Sequence, residues 1–587
     1  MKSEIGYKIG FSIVLFLVNT LAIAQLFVGS NSYVYTSNQV VFIEKDLELN
    51  SPTSNFYLRD NGQLIQGTTS SGANKGNGNL SVFQEGNANN FQFNYWCSPV
   101  GNSETLTSEN TLFGIKQLGI PTSLTESIAA ILLPANIYDG TASPLKIAPY
   151  WVYKFTNKTT YSDWTQAGST MTIAPGEGFT MKGSSGTNSI TINGVKNNPD
   201  GNHQRYDFRG KPNDGTISIP VLPNELTLTG NPYPSAVNLQ DFLNSETNCT
   251  GIAYFWQQDK TQNSHFIADY KGGYATYSGA NIYVPAPFYQ YDGSGNAITT
   301  LNSNATLYER KYTPIGQGFM IKGLQKGTVQ MKNNYRVFVS ESSANSSQFE
   351  KRSNTEKTSN ANTNSLIRFN TLLNNGPISQ TILAFNPQYT DGIDRSKDAS
   401  SLHNNPANVY FLIGGKEYVI NSLAFDSNKK IPIGFRNVSQ ANYKITVNEI
   451  VNLPEAENVY LHDKTTDLYH DIKNSFYELT LAAGTNNTRY EITFKNNTLG
   501  TDEVLKKDLF LFQNNTEKML NVSNPTQKEL GTINLYDIVG RLIFQKTDLG
   551  NESILQISTS NLNDGIYIVK LTAENQLELS KKIIVKN

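Results

Sequence analysis

The stretch YLHDKTTDLYHD carries His462, Asp463, His470 and Asp471 at a spacing that a hairpin could fold into one cluster of two imidazoles and two carboxylates. Such a set could hold a metal or shuttle a proton; the same residues also suit a polar hairpin surface. A second candidate, DGIDRSKD, offers Asp391, Asp394 and Asp398, and hard cations such as calcium prefer clustered oxygen ligands. Its spacing departs from that of an EF-hand loop and no glutamate closes it, so carboxylates capping a loop is the competing reading. DGSGN at Asp292 is a weaker version of the same idea. The other histidines, His203, His265 and His403, are scattered, and no H-E-x-x-H or G-x-S-x-G pattern occurs. Trp96, Trp151, Trp164 and Trp256 could stack on sugar rings if their faces are exposed, or fill cores if they are not. A carboxylate pair for glycoside hydrolysis exists only in three dimensions, and nothing in the sequence selects one. No catalytic residue is therefore assigned, and no cofactor beyond a calcium ion at the Asp391 cluster is considered.

Most of the elements that must position these groups are strands. Short runs of Val, Ile, Thr, Tyr and Phe alternate with Gly, Asn, Pro and Ser turns, which describes a mainly β protein. Two helices are expected. One is in SLTESIAAILLP, where Ser123 and Glu126 form a capping box; the other is Asn238 to Glu246. PGEGFTMKG, Pro175 to Gly183, returns as PIGQGFMIKG, Pro314 to Gly323, and Pro99 in YWCSPVG is echoed by Pro234 in GNPYPSA. WVYKF and YFW supply an aromatic strand between the marks of each copy, so two related β-modules are expected at 25–225 and 226–339. The glycines of G-x-G-F suit a turn with positive φ leading into a strand, rather than a phosphate loop, which needs a following helix. A polar stretch at 340–365 reads as a linker. Seven alternating strands at 366–496 describe an antiparallel β-sandwich.

The chain has 587 residues, enough for several cores, and a net charge of −2 gives no reason to expect nucleic-acid binding. Charged residues are only 16% and aromatics 11%, a balance suited to extracellular β-domains solvated by amides and hydroxyls. Residues 1–24 read as a secretory signal peptide: Lys2 and Lys8 precede an apolar run, and Ala22-Ile23-Ala24 before Gln25 is a small-x-small cleavage site. No later run is long enough to span a bilayer, so no transmembrane segment is expected in the mature chain. Cys97 and Cys249 could form a disulfide after export, closing a loop that would stabilise by about 5 kcal/mol. The apolar setting of Cys97 favours two unpaired core thiols instead.

The tail is more specific. GTINLYDIVGRLIFQK, ILQISTSNLNDGIYIVKL and KKIIVKN closely resemble the type A C-terminal sorting domain of the type IX secretion system of Bacteroidetes, over about residues 505–587. The motif positions fall on Tyr536, Asp537, Gly540, Gly565, Tyr567, Lys581 and Lys582; the usual Pro-Asn-Pro opening is replaced by VSNPTQ. The resemblance implies a small immunoglobulin-like sandwich read in folded form by the outer-membrane translocon. A sorting peptidase then usually cleaves it, leaving the cargo secreted or attached at the cell surface after passage through the periplasm. Residues 55 to 495 are more loosely similar to flavobacterial cell-surface proteins of unassigned function, and Phe27 to Leu58 has strands like the rungs of a short β-helix. The expected whole is a non-enzymatic adhesion protein with glycans as its ligands. A polysaccharide-degrading enzyme or a structural spacer are the alternatives.

Overall fold

The computed structural model describes residues 25–67, 70, 72–104, 107–304, 310–342, 347–349, 364–374, 376, 378–402, 407–496, 509–573 and 578–587. The signal peptide through Ala24, most of the expected linker and His403 lie outside the described residues. The described chain divides into two compact units, one formed by 25–255 with 310–349 and the other by 256–304 with 364–587. Both are built almost wholly of strands.

The first unit opens as a short parallel β-helix. Leu26–Val28 lies beside Leu47–Leu49, Tyr33–Ser37 beside Asn55–Arg59, and Val40–Ile43 beside Gln63–Gln66, all in parallel, so one coil takes about 22 residues. Alternate residues face the coil axis, and Val28, Ile43, Leu47, Leu49, Phe56, Leu58, Leu64, Leu80 and Val82 fill it. Asp60 and Asn61 turn one corner with φ of 46° and 63°, a conformation that short polar side chains tolerate. The last rung, Asn79–Glu85, then pairs antiparallel with Arg205–Pro212, which ends the parallel stack.

The duplicated segments form matching three-stranded units. Phe93–Cys97 pairs with Gly178–Lys182, which pairs at Thr180 with Tyr153. Leu226–Gly230 likewise pairs with Gly318–Gly323, which pairs at Met320 with Tyr254. Cys97 opposite Gly178 therefore corresponds to Gly230 opposite Gly318, which sets Pro99 against Pro232, two residues from the sequence match. Gly176 and Gly316 take φ of 78° and 79°, the expected left-handed turn before each strand. Gly178 and Gly318 do a different job. A Cβ on Gly178 would lie 2.7 Å from Leu228 Cγ, and one on Gly318 would lie 2.7 Å from the Tyr95 carbonyl carbon. Each copy's glycine thus packs against the other copy's partner strand.

The expected helix at SLTESIAAILLP is not formed. The Ser123 hydroxyl does accept from the Thr125 and Glu126 N–H groups, as an N-cap would. The chain then runs on as strand Ser127–Ala129, paired with Leu118–Pro121, because the 122–126 turn closes a hairpin and Ile128 and Ile131 favour strand. The second expected helix is present at Leu239–Ser245, with the Asn238 side chain accepting from the Asp241 N–H.

In the second unit, a five-stranded sheet packs on a six-stranded one over Ile367, Phe369, Phe411, Phe435, Tyr443 and Tyr490. The tail is a smaller sandwich. Phe510–Asn514, Met519–Ser523 and Ile554–Ser558 make one sheet; Leu542–Gly550, Leu530–Asp537, Gly565–Ala573 and Glu578–Val585 make the other. Leu511, Leu520, Ile533, Leu535, Val569, Leu571 and Ile583 fill the space between them. The class expected from sequence, mainly β with a C-terminal sandwich, is the class found.

Candidate functional site

The histidine hairpin does not gather its imidazoles. His462 sits opposite Tyr469 and His470 opposite Leu461, so strand alternation sends the two rings to opposite faces. His462 hydrogen-bonds Glu491 at 2.8 Å and Asp467 at 2.9 Å and stacks on Tyr469. His470 stacks on Tyr477 with ring centroids 3.6 Å apart; its Nε2 is buried without a hydrogen-bond partner, and burial lowers its pKa. Asp463 is taken by Arg489, whose two contacts of 2.6 and 2.8 Å hold the carboxyl at about 2. Asp471 caps the turn at Lys473 and Asn474.

The Asp391 cluster is likewise spent on partners within its own loop and on the neighbouring segment at 422–429. Asp394 accepts from the Thr390 N–H and hydroxyl, and Asp398 accepts from the Asp394 and Ser422 N–H groups at 2.6 Å each. Asp391 pairs with Lys429. Among the described residues no group of three potential ligands could hold a metal ion. Asp292 closes a four-residue turn in the same way, accepting from Ser294 and Asn296.

The tryptophans are built into the protein. Trp96 is 1% exposed among Tyr206, Phe208 and Phe349. Trp151 donates to the Tyr138 carbonyl and has Lys182 Nζ 3.6 Å from its ring centre. Burial pulls that ammonium down to about 6. Trp164 packs on Phe155, and Trp256 on Tyr274 and Tyr291. Cys97 and Cys249 are both buried thiols that form no disulfide with each other.

A site the sequence did not announce lies on the first unit. A cleft of about 250 Å³ opens where the β-helix corner, the Arg205 strand and the second module's turn at Ile315 converge. Residues from both faces of adjacent strands line it, among them Leu58, Val82 and Gln84 as well as Arg59 and Phe83. Arg59 lies 3.6 Å over the ring centre of Phe83 and donates to the carbonyls of Leu58, Ser81 and Leu124 and to the Ser81 hydroxyl. Burial lowers Arg59 to about 10, which leaves it cationic at neutral pH. Arg205 grips Glu85 at 2.6 and 2.9 Å. Asp60 accepts from Ser37, and Glu341 accepts from Gln84. Two guanidinium and three carboxylate groups thus line the cleft with one ring and several amides. The signal that could have found it is the alternation in NLSVFQE, which places Ser81, Phe83 and Glu85 on one face.

In the tail, the sorting-motif residues make turns and pairings. Asp537 accepts from the Val539 and Arg541 N–H groups and Gly540 follows with φ of 79°, closing the hairpin between Leu530–Asp537 and Leu542–Gly550. The Tyr567 hydroxyl donates to the Asn563 carbonyl. Gly565 opens its strand opposite Val585, and Lys581 and Lys582 pair with Val569 and Ile568.

These features define a β protein of two compact units that ends in a small β-sandwich. The chain belongs to the family described as a domain of unknown function, DUF8693, which matches residues 136–494. The secretion system C-terminal sorting domain, that of type IX secretion, matches residues 497–586. An endo-acting ulvan lyase of Formosa agariphila is 31% identical over 90 residues, 15% of this chain and 17% of that protein, so the chain spans under a fifth of that relative's length. Three solved structures show some likeness. A DUF3244 family protein with an immunoglobulin-like β-sandwich from Bacteroides vulgatus is 16% identical, covering 14% of this chain and 85% of that one, with a TM-score of 0.12. A polysaccharide lyase is 11% identical, covering 38% and 40%, at 0.15. The BSP domain of a biofilm associated protein is 11% identical, covering 64% and 81%, at 0.12. At such scores none of the three carries an argument. The sorting tail marks the protein for the cell surface or the medium, and among the described residues no helix is long and apolar enough to cross a membrane.

Proposed function

We propose that the protein is a non-enzymatic surface adhesin that binds neutral glycans in the Arg59–Glu341 cleft. The carrying observation is the lining. Arg59, Arg205, Gln63, Gln84, Asp60, Glu85 and Glu341 line the cleft together with the Phe83 ring, a polar set with one apolar group that suits a hydroxyl-rich ligand with one apolar face. Three carboxylates against two guanidiniums disfavour an acidic polysaccharide. Each carboxylate already accepts from a fixed donor, the condition of a scaffold rather than of a proton donor. Delivery is proposed to follow cleavage between Ala24 and Gln25 and recognition by the type IX translocon and its peptidase through the Tyr536–Lys582 motif set. The modules at 25–225, 226–339 and 366–496 form the cargo.

The test is a glycan array and calorimetry with the full chain, its Phe83→Ala and Glu341→Gln variants, and an assay of released sugar ends. Binding of a neutral oligosaccharide that weakens about tenfold, near 1.4 kcal/mol, in Phe83→Ala supports the reading. Binding unchanged in both variants rejects the cleft. Released sugar ends, the outcome in keeping with the 90-residue likeness to a lyase, would replace the adhesin by an enzyme.

A further inference from the structure

Strand pairing in the tail puts Tyr536 opposite Ile568, and Ile568 opposite Lys582, in one row across the four-stranded sheet. The alternate positions Leu535, Val569 and Ile583 fill the tail's own core, so this row points away from it. An outward row of a small sandwich is ordinarily solvated. Here Ile568 is 0% exposed, whereas Ile584, two residues along the outward face from Lys582, is 65% exposed.

The cover comes from the preceding sandwich. Lys582 Nζ donates to the Val447 carbonyl at 2.6 Å, and Lys444 Nζ to the Gly540 carbonyl at 3.5 Å. The Phe476 ring lies 5.1 Å from that of Tyr536, edge to face, and Lys570 Nζ sits 4.2 Å from the centre of the Phe476 ring. A Cβ on Gly540 would come within 3.2 Å of Lys444 Cδ. Hydrogen bonds, an aromatic pair and a cation over a ring from three separate strands make this a fitted contact.

We infer that the Tyr536–Ile568–Lys582 row is a docking surface for the chain's own sandwich, so that the 366–496 sandwich and the sorting domain move as one body. The secretion machinery then meets the tail by its other faces. Three of the motif positions, Tyr536, Gly540 and Lys582, are thereby assigned to holding the tail on the preceding sandwich. The inference is independent of what the cleft binds.

Lysine acylation of the intact chain, read by peptide mass spectrometry, tests it with a built-in reference. Lys581 is exposed and next to Lys582 in sequence. Burial in the docked state lowers Lys582 to about 8, and exposure removes that cause, so an accessible Lys582 should react much as its neighbour does. Docking instead makes Lys582 slower by about tenfold or more, because reaction waits for the contact to open. Phe476→Ala, and independently Lys444→Glu, are expected to bring the two rates within about threefold of each other by populating that opening. Equal rates in the unaltered chain overturn the inference. So does protection that survives both sandwich variants, since the cover would then come from the tail alone.

Discussion

Replacing Gly318 by alanine would drive a methyl group into the backbone of the other module. The new carbon would stand 2.7 Å from Tyr95 C, 2.8 Å from Trp96 N and 3.0 Å from Trp96 O. Ordinary contacts begin near 3.4 Å, so the two strands must part by about 0.5 Å, and main-chain atoms cannot rotate aside. Overpacking of this kind costs about 1–3 kcal/mol, and the backbone contacts argue for the upper end. Stiffening the unfolded chain returns about 0.5–1 kcal/mol, leaving a net loss near 2 kcal/mol. Gly194→Ala is the matched control: Gly194 has φ of 77° but nothing within 4 Å of a Cβ, so it tests backbone strain alone, about 1 kcal/mol before the same offset. The assay is urea unfolding followed by tryptophan fluorescence in a Trp256→Phe background, so that Trp96, Trp151 and Trp164 report only the first unit. Gly318→Ala should lower the midpoint by about 0.6 M more than the control. Gly178→Ala should behave like Gly318→Ala, and the double variant should cost less than the sum, because both press on one spacing between strands. A Gly318→Ala midpoint no lower than that of Gly194→Ala would refute the reciprocal packing.

Other outcomes follow from charge and burial. Arg336 and Asp214 are both wholly buried and 3.3 Å apart, so Arg336→Met should cost about 3–5 kcal/mol by stranding the carboxylate, and adding Asp214→Asn should recover part of it in the same unfolding assay. Burial pushes Asp398 up to about 7 against two short N–H contacts. An unfolded aspartate titrates near about 3.9, so the folded state keeps this proton longer; stability should be greatest below about pH 4 and fall as pH rises through about 7. Asp398→Asn should flatten that slope, worth about 2–4 kcal/mol, in unfolding curves taken across the range. His470→Phe should be neutral or stabilising by about 1 kcal/mol, since it keeps the stack on Tyr477 and removes an unpartnered buried nitrogen; a loss above about 1 kcal/mol would mean the nitrogen has a partner. Deleting Asp502 to Asn587 should retain the protein in the periplasm, and surface labelling of that truncation would sink the role of the tail.

The sequence disclosed local geometry better than long-range assembly. The left-handed turns at Gly176 and Gly316 were legible because few residues but glycine fit before a strand there. The sorting tail was legible because its turn chemistry, Asp537 with Gly540, recurs as a motif. SLTESIAAILLP misled because Ser123 satisfies N–H groups equally well in a helix or at a tight turn, and the choice belongs to the pairing partner Leu118–Pro121. The histidine pair failed for want of a register: a single residue of offset sends two side chains to opposite faces. The cleft was invisible because Arg59, Phe83, Arg205 and Glu341 meet only through parallel and antiparallel ladders spanning nearly 300 residues.

The reciprocal glycines carry a historical consequence. A duplicated segment usually begins as a spare that can diverge or be lost. Here a Cβ on Gly230 would strike Cys97 Cβ at 2.5 Å and the Gln317 carbonyl oxygen at 2.4 Å, so each copy has become the wall of the other. Once that fit arose, deleting either copy would strip the survivor of a face, and bulk gained at one glycine would demand a matching change across the seam. Descendants of such a gene can shed or swap their flanking parts, but the pair of copies is inherited as one piece.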